Sequence, residues 1–73
     1  MSNTERNILA AKTQQAATLL RAWLDSRNVQ PTEEDVGYKA LEYARTYFPE
    51  IASFSDPIVC DIITRARAIV KDH

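Results

Sequence analysis

Apolar residues recur at three- and four-residue steps in three blocks of this chain, separated by two proline-centred breaks, Val29-Gln30-Pro31-Thr32 and Ser53-Phe54-Ser55-Asp56-Pro57. At about 100° per residue, Ile8, Leu9, Ala16, Ala17, Leu19, Leu20, Trp23 and Leu24 of the first block share one half of a cylinder, predicting a helix over about 3–27. Lys12 and Thr13 interrupt that stripe. Half a cylinder is wide for a helix with one neighbour, so this helix is expected to lie across two others or to take part in a dimer. Ser2 and Glu5 have capping-box spacing at its start. At its end, a left-handed Asn28 would bring Val29 against Leu24, and Pro31 forbids continuation.

The second block opens on stronger local chemistry. Thr32 can cap, and Glu33, Glu34 and Asp35 place negative charge at the positive end of the helix dipole. Pro31 can staple against Val36. A helix over 33–47 would bury Val36, Ala40, Tyr43, Ala44, Tyr47 and Phe48, with Leu41 on the margin. Pro49 biases Phe48 out of helical geometry, and Ile51 and Phe54 are expected to tuck inward beyond it. The third block has Asp56 as cap and Pro57 at the first helical position, where its missing N–H costs nothing. The spacing 59, 62, 63, 66, 69, 70 is helical despite β-branched content, so a helix over 57–71 is expected to bury Ile58, Val59, Ile62, Ile63, Ala66, Ile69 and Val70.

The pattern predicts an all-α fold: one small three-helix bundle spanning 1–73, with a long first helix and two shorter ones, completed by dimerisation if the wide first face needs cover. A chain of 73 residues has room for one modest core, and burying about 60% of the unfolded surface leaves stability thin. Its one cysteine, Cys60, can make no internal disulfide, which fits a reducing compartment. The polar start resembles no signal peptide, and no apolar run approaches the ~20 residues of a membrane span, so a cytoplasmic protein with no membrane partner is expected.

Candidate chemistry removes more than it adds. The one histidine is His73, where fraying works against Ser-His or Cys-His nucleophilic pairs, so no catalytic residues and no enzyme are expected. No metal-ligand spacing occurs, and phosphate-cradling loops need more than the single Gly37, which falls inside a helix and is read as allowing close approach of another helix. No cofactor is therefore expected. The acidic trio Glu33, Glu34 and Asp35 reads first as a charged helix start and second as an acidic contact.

Charge distribution changes the picture more than the net charge of -1 does. Residues 31–61 carry seven acids against Lys39 and Arg45, whereas the last segment offers Arg65, Arg67 and Lys71. Those three form an alternative basic face for nucleic acid, but a recognition helix beginning Asp56-Pro57-Ile58-Val59-Cys60-Asp61 would turn two acids toward phosphate, which disfavours that reading. Arg65, Arg67 and Lys71 read better as a solvated face or as mates of the acidic middle segment. Cys60, on the polar side with Thr64 and Arg67, reads as a passive surface thiol ahead of a reactive one.

Tyr38, Leu41, Glu42 and Arg45 lie together on the second helix, away from its expected core face, and Tyr and Arg are enriched where partners bind. Trp23 reads as core. The sequence thus points to a non-enzymatic protein-binding module, a small regulator, adaptor or stoichiometric inhibitor meeting a larger protein through Tyr38, Leu41, Glu42 and Arg45, and forming a homo-oligomer, most simply a dimer. Its alternatives are a nucleic-acid-binding regulator using the last helix and a purely structural assembly subunit.

Overall fold

The structure, a computed structural model, describes residues 3–53 and 55–69. Three helices follow in order: α1 (Asn3–Asp25), α2 (Glu33–Tyr47) and α3 (Pro57–Ala68). Each packs against both others, so the architecture is an all-α three-helix bundle, and the wide apolar half of α1 serves two neighbours.

Local chemistry sets most of the boundaries. The Thr32 hydroxyl accepts the Asp35 N–H at 3.1 Å, and a carboxylate oxygen of Asp56 accepts the Ile58 N–H at 2.9 Å, with Pro57 at the start of α3. The end of α1 differs from expectation. The helix stops at Asp25, and the Ser26 hydroxyl donates to the Trp23 carbonyl at 2.8 Å while the Ser26 and Arg27 N–H groups tighten the last turn onto Ala22, Trp23 and Leu24. No described residue has positive φ, so Asn28 is not a left-handed cap, and Val29 is 77% exposed instead of packing on Leu24. The serine hydroxyl supplies a donor to a carbonyl of the last turn, so the left-handed residue is not needed. The third helix also ends early, at Ala68, with Ile69 in extended geometry. The expectations for Ser2, Phe54, Val70, Lys71 and His73 lie outside the described residues.

The core is built from Leu20, Val59 and Ile62, all fully buried, with Val36, Phe48 and Ile51 around them. Ala16, Ala17, Ala40, Ala44 and Ala66 are also fully buried. Alanines at the contacts let three helix backbones come close, so few large side chains suffice to fill the centre. Leu9, Trp23, Leu24, Leu41, Tyr43, Tyr47, Ile58 and Ile63 pack around that centre while keeping part of their surface in water.

The buried face of α1 is rotated from the expected one. Thr13 is buried, its hydroxyl donating to the Leu9 carbonyl at 2.8 Å, whereas Ile8 and Leu19 face outward. That bond within the helix satisfies the hydroxyl, so the residue expected to interrupt the stripe enters the core without an orphaned polar group. Gly37 departs from expectation as well: a Cβ built there meets nothing within 4 Å, so no other helix approaches it closely.

Candidate functional site

The outer face of α2 brings the four predicted contact residues together. Tyr38, Leu41, Glu42 and Arg45 line a shallow depression of about 510 Å³, which Thr46 and Pro49 extend toward the helix end. Tyr38 is 54% exposed. Leu41 is half-buried, its inner side resting on the core and fixing the floor. Helical spacing explains the assembly, since residues three and four apart are neighbours on one face. Thr46 and Pro49 are not among the contact residues expected from the sequence, though they continue the row from Tyr38 through Glu42.

The charges around this depression are unevenly committed. Glu42 accepts a hydrogen bond from Lys39 Nζ at 2.9 Å, and the Thr46 hydroxyl donates to the Glu42 carbonyl at 3.2 Å. The bond to Glu42 raises the Lys39 pKa above the ordinary lysine value, with attraction to Glu42 and Tyr43 adding to it and desolvation and Arg27 opposing it. Lys39 also lies over the rings of Trp23, at 5.9 Å, and Tyr43, at 5.5 Å, bracing α2 on α1. Arg45 is exposed, and among the described residues no carboxylate pairs with it.

The other predicted surfaces are occupied from within. Arg67 Nη2 contacts both carboxylate oxygens of Glu33, at 2.8 and 2.9 Å, so the acidic start of α2 and the basic face of α3 pair with each other. Glu34 and Asp35 remain exposed. Arg65 donates from Nε to Asp61 at 3.1 Å and from Nη1 to Gln14 at 3.2 Å, and Lys71 lies outside the described residues. Arg21 is likewise held by Asp25, which raises its pKa through the hydrogen bond between them and through charge attraction, against desolvation. A smaller cavity of about 210 Å³ contains Arg21, Pro31, Glu33, Val36 and Arg67. Its two guanidinium groups already face carboxylates.

Cys60 is exposed, and its carbonyl accepts the Thr64 hydroxyl at 3.0 Å. Trp23 is half-buried against the core, with the Arg27 guanidinium 5.4 Å above its ring. Among the described residues no group of three His, Cys, Asp or Glu side chains could hold a metal ion, and no helix is long and apolar enough to cross a membrane. Compared with protein-family models, with curated proteins and with solved structures, the chain gives no significant match.

Proposed function

We propose that this chain is a non-enzymatic protein-binding module, a small regulator, adaptor or stoichiometric inhibitor, that presents the outer face of α2 to a larger protein in the cytoplasm. The supporting observation is the depression between Tyr38 and Pro49, with the exposed Arg45 at its side and no carboxylate among the described residues paired with it. A partner offering an apolar side chain to the Leu41 floor and a carboxylate to Arg45 matches this surface. Tyrosine and arginine give large contact area with directed polar ends, the combination common at binding hot spots.

Nucleic-acid binding through α3 fits less well, because phosphate would have to displace Asp61 from Arg65 and Glu33 from Arg67. The test is affinity capture from the native host with the unaltered chain, Tyr38→Ala/Arg45→Ala and Arg65→Glu/Arg67→Glu side by side, each first checked for retained helicity and a cooperative melt above the capture temperature. The α2 double variant should lose a partner that the α3 double variant keeps. Full capture by the folded α2 variant, or salt-sensitive retention of labelled duplex by the unaltered chain, would overturn the reading.

A further inference from the structure

The solvent side of α1 carries a second, self-matching pattern. Ile8, Ala11, Gln15, Leu19 and Ala22 lie on one stripe at steps of 3, 4, 4 and 3 residues, close to the ~3.5 period of paired helices. All five are exposed, Ile8 at 51% and Leu19 at 39%. The steps read the same in both directions from Gln15. When two copies of α1 run antiparallel about a two-fold axis at Gln15, Ile8 faces Ala22 of the second copy and Leu19 faces its Ala11. Each bulky side chain then meets an alanine, and each contact occurs twice, as an isologous interface requires.

The surroundings suit that pairing. A groove of about 500 Å³ runs along Ala11, Gln14, Gln15, Thr18 and Leu19 with Tyr47 as its far wall, giving an incoming Leu19 a seat over Ala11. No charged residue belongs to the stripe. Lys12, next to it, has its ammonium 5.8 Å from the Phe48 ring of its own chain. The two Gln15 amides can each donate and accept at the axis, so they satisfy one another and fix the register, as one polar residue does in a coiled-coil seam.

We propose that a second copy of this chain covers the outer face of α1 as an antiparallel, two-fold pair centred on Gln15. The stripe shares no residue with the Tyr38 depression, so the dimer leaves that surface open. Five side chains along about 21 Å of helix cover less than a standard interface of ~800 Å² per partner. The pair is therefore weak, with a dissociation constant in the micromolar to millimolar range.

Sedimentation equilibrium from about 10 µM to about 1 mM spans that constant. The measured mass should rise from one chain toward two. Leu19→Lys should weaken association at least about tenfold, the equivalent of ~1.4 kcal/mol, with unchanged circular dichroism because the side chain points outward. In a Cys60→Ser background, Gln15→Cys should cross-link to itself through a short bis-maleimide, whereas Ile8→Cys should cross-link only when mixed with Ala22→Cys. A mass of one chain over the whole range would overturn the proposal. So would undiminished association of Leu19→Lys, or cross-linking through Tyr38→Cys in place of Gln15→Cys.

Discussion

The Arg67 guanidinium grips both carboxylate oxygens of Glu33 across 34 positions of sequence, tying the last turn of α3 to the first turn of α2. The contact joins the acidic middle of the chain to its basic end, and it places negative charge where the α2 dipole favours it. Both side chains are mostly in water, so its contribution to stability is small, whereas its effect on how α3 meets α2 is geometric.

A charge reversal tests that pairing. Arg67→Glu should cost about 0.5 to 1 kcal/mol, since it replaces an exposed attraction with a repulsion at the same place. Adding Glu33→Arg should give back only part of the loss, since the reversed pair attracts again while its charges now oppose the dipoles of α2 and α3, and added salt should shrink both effects. Urea titrations of the two single variants and the double variant form the cycle that measures the coupling. Purely additive losses would show that the contact contributes nothing.

Gly37 offers a stabilising change. It sits inside α2 with no other atom near the position of a Cβ, so alanine removes backbone freedom from the unfolded chain without creating a clash. Gly37→Ala should add about 0.5 to 1 kcal/mol and raise the melting temperature by a few degrees. An unchanged or lower melting temperature would show that the added methyl group strains α2.

The core should be intolerant of truncation and the first loop indifferent to it. Leu20 is fully buried, and Leu20→Ala in a core of this size should cost roughly 2 to 5 kcal/mol. A bundle of this length holds roughly 3 to 5 kcal/mol in total, so that variant should be largely unfolded at room temperature. Val29→Ser, at a side chain that makes little contact, should melt like the parent. Circular dichroism melts of both variants decide it, and a cooperative, near-parental melt for Leu20→Ala would show that its neighbours collapse to fill the space.

Sequence made the start of α2 and the start of α3 readable, because Thr32 and Asp56 act on N–H groups two or three residues away. It also placed Tyr38, Leu41, Glu42 and Arg45 on one face, since helical spacing alone decides that. The end of α1 was not readable in the same way. Ser26 and Asn28 can both terminate a helix, by side-chain bonding and by left-handed geometry, and spacing alone does not rank one above the other. The rotation of α1 was hidden for a related reason. Apolarity ranks Ile8 and Leu19 above Thr13, but the fully buried Ala16 and Ala17 show where neighbours come close, and Thr13 lies on their side. A single helix's pattern does not reveal where its neighbours stand. Gly37 gave no local sign of being free of neighbours.

Thr13 supplies the sharpest test of that rotated face. Its hydroxyl donates to the Leu9 carbonyl, which as part of the α1 helix already receives a backbone N–H, so removing the hydroxyl leaves no buried group unpaired. Thr13→Val keeps the shape and exchanges one intrahelical hydrogen bond for a methyl group, so it should change stability by less than about 1.5 kcal/mol. Thr13→Asp places a carboxylate at a buried position next to the fully buried Ala16 and Ala17, a cost of several kcal/mol that exceeds what this core can bear. If Thr13 instead faced water, the aspartate variant would melt close to the parent. Paired melts of the two variants at neutral pH, where an exposed aspartate is ionised at no cost and a buried one is not, distinguish the buried position from the exposed one.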